Sequence, residues 1–171
     1  QGFHVHLARV LDFGTATGRD AARVLARSLL GIEGSSDEAL RLQAADRALG
    51  DGGIGPDNWP FLLDLLDLPQ PLAERAVYDA MDNATRNLGK QHTLAALLAM
   101  AARAAPLLIV VEDIHWADPP MLAHLARLTV ALSEIPAALV MTTRIEGDPL
   151  TESWRATTRV NPLVTIDLGH L

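Results

Sequence analysis

Residues 107–118 read LLIVVEDIHWAD, and this stretch decides the fold. Its first five residues are continuously apolar, which favours a short parallel strand covered on both faces. Two acids, Glu112 and Asp113, follow this strand directly. Because open α/β sheets bind ligands beyond the carboxyl ends of their parallel strands, we expect both carboxylates to face a ligand crevice.

Two neighbouring carboxylates at a strand end suit metal-assisted phosphoryl transfer. Carboxylate oxygens are hard ligands that Mg²⁺ accepts while it keeps several waters, so Glu112 is predicted to hold the metal, directly or through water. Asp113 is predicted to be catalytic, because a second carboxylate can orient or deprotonate the attacking water. The alternative from these residues alone is that both acids merely cap the next helix.

A phosphate-binding loop of the G-x-x-x-x-G-K-[ST] type is absent from the sequence. The chain has a single lysine, Lys90, and Ala84 stands where the loop needs its first glycine. Gln91 stands where the loop needs a metal-binding hydroxyl. The sequence therefore predicts only half of a nucleotide-hydrolysing site, with no cofactor-binding Walker A residue.

Strand and helix patterns alternate along the rest of the chain, which predicts an α/β fold with a mostly parallel sheet. A turn at residues 14–18 and a capping pattern, Thr17 with Asp20, separate the first strand from the first helix. Asp118 with Pro119 is predicted to start the helix after the acidic pair. The predicted strands are residues 3–13, 107–111, 137–143 and 163–168, and the predicted helices are residues 21–30, 38–49, 61–68, 72–88, 91–105 and 119–132.

The segment VVEDIHWAD is similar to the Walker B segment of STAND-type ATPases, the signal-transduction relatives of AAA+ proteins. The resemblance is to the ATPase module of bacterial adenylate/guanylate cyclase-like and transcriptional regulators. It extends in order through VLDFGTATGRDAARVLARSLLGI, LLDLLDLPQP, YDAMDNATRN, VMTTRIEGDPL and PLVTIDLGHL. One departure is Glu112, where that family more usually has aspartate.

The resemblance implies a P-loop NTPase-like fold with three αβα layers. Residues 1–171 would then form a single partial ATPase domain, from strand 2 to strand 5 of the core, with the first strand and the Walker A loop expected just before Gln1. ATP and Mg²⁺ are implied as cofactors of the parent protein, not of this piece. Cyclase and helical-repeat domains of the same polypeptide are the implied partners.

The resemblance also places Arg144, after the VMTT strand, at the sensor-1 position, where it would act catalytically on the terminal phosphate. A guanidinium at that point can pair bidentately with phosphate oxygens. The alternative is a salt bridge with Glu146 or Asp148. His115 and Trp116 have two interpretations: both lie at the sheet edge beside the nucleotide, or Trp116 is a packing anchor, which is the more common role of such a tryptophan.

Two other functions fit parts of the chain. Residues 10–18, VLDFGTATG, also resemble the S-adenosylmethionine loop of Rossmann methyltransferases. In that comparison Ala16 replaces the middle glycine, and Glu33, near the distance of the ribose-binding acid, follows a helix instead of a strand. The remaining alternative is a non-catalytic regulatory or scaffold domain whose acidic pair has lost its role.

Composition narrows the possible partners. Fourteen basic and 21 acidic residues give a net charge of -7 without a basic cluster, which argues against nucleic-acid binding by this chain. The lack of cysteine excludes disulfides and thiolate catalysis and favours a cytoplasmic location. No apolar run approaches the roughly 20 residues that a membrane span needs. Paired histidines, His4 with His6 and His115 with His124, lack a carboxylate at zinc-ligand spacing.

The missing first strand has a structural consequence. In the implied fold it lies between residues 137–143 and residues 163–168, so its absence leaves a slot with two unpaired strand edges. Unpaired backbone groups are costly when buried. We therefore expect rearrangement, local disorder, or self-association of the chain through these edges.

Overall fold

The computed structural model describes residues 2–11, 21–159 and 161–168. These residues form three strands and seven α-helices, which confirms the α/β class. The elements are β1 His4–Arg9, α1 Ala21–Leu29, α2 Glu38–Gly50, α3 Trp59–Leu65, α4 Leu72–Ala80, α5 Asn83–Ala102, β2 Leu107–Glu112, α6 Pro119–Ala131, β3 Ala137–Met141 and α7 Glu152–Thr157. Among the described helices, none combines the length and the apolar character needed to cross a bilayer.

The sheet has three parallel strands in the order β1-β2-β3. The predicted central position of β2 is confirmed. Arg9 pairs with Glu112 in register, and Val111 pairs with Met141. All three strands therefore end at the same edge of the sheet, and the residues that follow them meet there.

One face of the sheet forms the core. Ala8, Ile109 and Val111 on this face are at most 2% exposed. Helix α1 packs on β1, and α5 packs against α1 and α6. This layer of helices holds the strands in register and so fixes the positions of the strand ends.

The opposite face of the sheet, the outer face, has the apolar residues Val5, Leu7, Leu108, Val110, Ala138 and Val140, and Arg9 and Glu112 continue it at the carboxyl edge. Val5 is 58% exposed, Leu7 52% and Val140 45%, so the described part of the chain leaves much of this face open. Parallel sheets are normally covered on both faces. The strand of residues 137–143, predicted to be buried, is half-buried on one side and exposed on the other, and it ends earlier, at Met141.

Two strand predictions need correction. The first strand ends at Arg9 instead of Phe13, and the predicted turn, the capping pattern and the methyltransferase-like loop at residues 12–20 lie outside the described residues. Residues 163–168 do not form a strand. Val164 and Ile166 are about three-quarters exposed. High β-propensity is insufficient without a neighbouring strand to pair with, and no strand of the described chain adjoins this segment.

The predicted helices at residues 21–30, 38–49 and 119–132 are confirmed within one or two residues. The predicted helix over 72–88 is wrong, because the chain breaks at Met81, whose backbone is extended. Asp82 then starts α5 by accepting a hydrogen bond from the backbone N–H of Thr85 at 2.7 Å. Gly89, predicted to end a helix, lies inside α5. A Cβ at this position would overlap the ring of Phe61, so the glycine serves packing and does not end the helix.

Candidate functional site

Glu112 lies at the carboxyl edge of the sheet, as the last residue of the central strand. Its side chain is 30% exposed and meets Arg9, the last residue of β1. Nε and Nη2 of Arg9 donate to Oε2 of Glu112 at 2.9 and 2.5 Å. Hydrogen bonding and attraction to Glu112 raise the pKa of the Arg9 guanidinium above its ordinary value. Glu112 is therefore an accessible carboxylate with a fixed orientation.

Asp113 turns the chain sharply away from the strand. Its backbone is left-handed, with φ of 61° and ψ of 39°, and its N–H donates to Oγ1 of Thr142 at 3.1 Å. The carboxylate is 45% exposed, with Oδ2 3.6 Å from Nε of Arg9. Thus Arg9 contacts both acids, and both acids face the open edge of the sheet instead of the core.

The two acids do not cap the helix that follows them. Asp113 precedes the short 3₁₀ turn Ile114–Trp116, but its side chain makes no capping hydrogen bond. Asp118 caps α6 instead, accepting from the N–H of Met121 at 2.9 Å, as the sequence predicted. The alternative of a purely capping role for the acidic pair is therefore wrong.

Arg144 follows the neighbouring strand and lies over Trp116, with Cζ 5.9 Å from the ring centroid. Within the described residues Arg144 forms no ion pair, and Asp148, one predicted partner, pairs with Arg155 at 3.0 Å. Trp116 is 43% exposed and so is not a packing anchor. The Arg144 guanidinium thus lies beside the 3₁₀ turn that follows the acids, and its residue is exposed to solvent.

His115 lies between the acidic pair and Trp116. Its ring centroid is 4.9 Å from that of Trp116. Both ring nitrogens are buried, and neither has a hydrogen-bond partner among the described residues. The imidazole is held by packing, so its position is defined while its hydrogen-bonding capacity is unused.

Sequence reasoning missed two residues of this site, Arg9 and Thr142. Arg9 lies 103 residues from Glu112 in the chain, and the first strand was expected to continue beyond it. An arginine at the end of a strand can be recognised as a candidate site residue only when the end of that strand is predicted correctly. Thr142 follows β3 and contacts Asp113 through a hydroxyl that any strand end can carry.

The ligand atoms that the site offers limit which metal ions it can bind. In the described parts of the chain, no group of three or more histidine, aspartate or glutamate side chains is placed to hold a metal ion. Glu112 and Asp113 together offer carboxylate oxygens only. This fits a cation such as Mg²⁺ that takes one or two carboxylates and completes its shell with water and substrate oxygens. It does not fit a closed zinc site.

Comparisons with protein-family models, with curated proteins and with solved structures find no significant match to this chain. The chemistry of the strand ends is therefore the basis for assigning a function. That edge offers two accessible carboxylates, a guanidinium that contacts both, and a second guanidinium after the next strand.

Proposed function

We propose that this chain is the Walker B and sensor half of a regulatory, STAND-type signal-transduction ATPase module. The observation that carries the proposal is the exposed carboxylate pair at the end of the central parallel strand. Arg144 after the neighbouring strand supports it. In this proposal ATP binding and hydrolysis belong to the parent protein, in which cyclase and helical-repeat domains are the proposed neighbours.

The proposed roles follow from the side-chain chemistry. Glu112 holds Mg²⁺, and Asp113 orients or deprotonates the attacking water. Arg144 donates to oxygens of the terminal phosphate, where a planar guanidinium forms strong paired hydrogen bonds. Oε2 of Glu112 accepts two hydrogen bonds from Arg9, so the carboxylate that would hold Mg²⁺ is oriented by this guanidinium.

The site needs a phosphate-binding loop that this sequence does not contain. We propose that another segment of the same protein supplies it, on a strand beside β3 in a P-loop-like fold with three αβα layers. Two observations support this arrangement. In the described chain the edge of β3 away from β2 pairs with no strand, and the outer face of the sheet is largely open.

A first test uses residues 1–171 alone. Each missing charge-assisted hydrogen bond to phosphate contributes about 1.5–3 kcal/mol. The loss of three therefore removes roughly 5 kcal/mol or more, which turns micromolar ATP affinity into almost none. Calorimetric titration with Mg·ATP should show no binding in the micromolar range and no hydrolysis. Micromolar affinity would overturn the proposed division of the site.

A second test uses the longer protein that contains the phosphate-binding loop. Asp113→Asn and Glu112→Gln should each lower ATP turnover roughly 10²- to 10⁴-fold, because they remove the general base and a metal ligand. Asp118→Asn is the matched control. It makes the same chemical change five positions away and keeps a good helix N-cap, so turnover should stay within about twofold. Equal losses in all three variants would contradict the assigned roles.

A non-catalytic scaffold is the second candidate function, and the Arg9–Glu112 ion pair is the observation that favours it. A carboxylate already neutralised by a guanidinium can serve structure alone. On this hypothesis Glu112→Gln destabilises the fold modestly and leaves any ATP turnover of the longer protein unchanged. Turnover measured beside thermal stability separates the two functions.

A further inference from the structure

A cavity lies between the α3–α4 connection, α4 and the start of α5, and it shares no residue with the acidic site. Its volume is about 420 Å³. This is within the range of roughly 300–1,000 Å³ that small-molecule pockets occupy. The lining is mainly polar and includes three aspartates, two arginines, a glutamine and a tyrosine. Such a lining favours a small polar ligand over an apolar one.

Two of the aspartates are already neutralised by cations that do not line the cavity. Asp64 pairs with Arg23 and Lys90 at 3.2 Å each and also accepts a hydrogen bond from the hydroxyl of Tyr78 at 2.9 Å. Asp67 pairs with Arg23 and, at 2.7 Å, with Arg27. These ion pairs give Asp64 and Asp67 a structural role that requires no ligand. The groups left for a ligand are therefore on the other wall.

Arg86 is the principal unused group. Its Nε and Nη2 donate to the carbonyl of Met81 at 3.1 and 2.9 Å, and its Cζ lies 5.6 Å from the ring centroid of Tyr78. No carboxylate among the described residues forms an ion pair with it. The guanidinium is thus held in place on the cavity wall with its charge uncompensated by an acid at contact distance.

Gln70 and Asp79 supply hydrogen-bond acceptors, whereas Arg86 supplies donors. Gln70 donates from Nε2 to the carbonyl of Pro60 at 2.8 Å, while its Oε1 is buried and has no partner in the described chain. Asp79 accepts from Nε of Arg75 at 3.0 Å through Oδ2. Oε1 of Gln70 is closed off from the cavity, so Asp79 is the accessible acceptor on this wall.

We propose that this cavity binds a free α-amino acid. The carboxylate of the ligand pairs with Arg86, and its ammonium group donates to Asp79, whose side chain is 54% exposed. The mixed lining selects for a zwitterion. A zwitterion can use both Arg86 and Asp79, whereas a ligand that carries one type of charge can use only one of them. The proposal holds whether or not the chain belongs to an ATPase.

The test is a thermal-shift and calorimetry screen of the chain against the twenty amino acids at millimolar concentration. Lactate, ethanolamine and inorganic phosphate are included as probes that carry one charge type only. We expect saturable binding of at least one amino acid and little stabilisation by the three single-charge probes. No binding by any amino acid would overturn the proposal. Equal stabilisation by phosphate would also overturn it, since that indicates a general anion effect.

Substitutions in the cavity wall test whether the amino acid binds in this cavity. Arg86→Gln should weaken the affinity for the bound amino acid by roughly tenfold to a hundredfold, the equivalent of one charge-assisted hydrogen bond. Arg75→Gln, at a side chain that is 60% exposed, is the second variant because it leaves the fold intact. It should weaken binding less. Arg103→Gln, at the far end of α5, is the matched control and should leave the affinity unchanged. Binding that is insensitive to both Arg86→Gln and Arg75→Gln would exclude this cavity.

Discussion

Asp113 combines an exposed carboxylate with a left-handed backbone, φ of 61°. This region disfavours residues other than glycine by about 1 kcal/mol, with asparagine and aspartate disfavoured least. Asp67 has the same kind of backbone, φ of 52°, and its carboxylate forms ion pairs with Arg23 and Arg27. The conformation of Asp113 is therefore compatible with a structural turn as well as with the proposed chemical role.

Asp113→Gly separates the two roles. The variant should be at least as stable as the parent chain in urea unfolding, because glycine accepts this backbone and the exposed contact with Arg9 contributes little. Asp113→Val should lose about 1–2 kcal/mol, since a β-branched residue fits the left-handed region poorly. A glycine variant less stable by more than about 1 kcal/mol would mean that the carboxylate itself holds the turn.

His6 makes the stability of the chain depend on pH. Its ring lies in the core, and its Nδ1 is 2.8 Å from Oγ of Ser28. Burial lowers the pKa of His6 below 6.5, with the charge of Glu33 opposing and that of His4 adding to the shift. At a pH below about 6.5 the unfolded chain takes up a proton that the folded chain resists. Acidification therefore favours unfolding.

Unfolding midpoints measured between pH 8 and pH 5 test this effect. Stability should be constant at high pH and should fall below about pH 6.5, by at most about 1.4 kcal/mol per pH unit for this single group. His6→Gln should flatten that part of the profile. His4→Gln, on the same strand but exposed, should not. An unchanged profile in His6→Gln would assign the acid sensitivity to other groups.

The acidic pair was predictable because its signal is local, an apolar strand followed by two carboxylates. The rest of the site was not. Arg9 reaches Glu112 only through the pairing of β1 with β2, 103 residues apart in the chain. The position of Arg144 was not predictable for a similar reason, since its side chain lies over Trp116, which follows a different strand, and the alternative of a salt bridge with Asp148 is not formed.

Among the elements, α5 shows most clearly where periodicity misleads. A glycine in a helical pattern usually signals an end, but Gly89 lies within a 20-residue helix. The reason is tertiary, because the ring of Phe61 occupies the space of a side chain there. The true break at Met81–Asp82 has a capping signal, Asp82 with Thr85, that the apolar spacing of residues 72–88 obscured.

Gly89→Ala should therefore destabilise the chain although alanine favours helices. We expect a loss of about 1–3 kcal/mol in chemical denaturation, because overpacking against Phe61 exceeds the gain of roughly 1 kcal/mol in helix propensity. Gly50→Ala, at the last residue of α2, is the control. A Cβ there meets nothing within 4 Å, so stability should be unchanged or slightly higher. A neutral Gly89→Ala would show that Phe61 moves freely.

The sequence predicted four strands, and three of them form in the described part of the chain. Strands β1, β2 and β3 follow from their apolar, β-branched composition, and β2 is central as expected. Residues 163–168 have the same composition but form no strand. Strand formation depends on a partner edge, which composition does not encode.

For the molecule as a whole, the outer face of the sheet and the free edge of β3 are the features that remain to be covered. Val5, Leu7 and Val140 expose about half of their surfaces. A strand edge without charge or proline is also open to pairing with another chain. We therefore propose that residues 1–171 self-associate when no other segment covers this surface.

Light scattering over a range of concentrations measures this association. The mean mass should rise with concentration, and Val140→Lys should suppress the rise by placing a charge on the outer face. Val77→Lys, at a position 63% exposed on α4, is the matched control and should not suppress it. A chain that is monomeric at every concentration would contradict the proposal.

The pairing of β1 with β2 has a consequence for biosynthesis. The first strand leaves the ribosome more than 100 residues before its neighbour. At about 5–20 residues per second, that interval lasts roughly 5–20 s. During this interval β2 has not been synthesised, so Phe3, Val5 and Leu7 are exposed. They can then bind chaperones or other nascent copies of the chain. Yield in cells should therefore depend on translation speed and chaperone supply as well as on the stability of the finished fold.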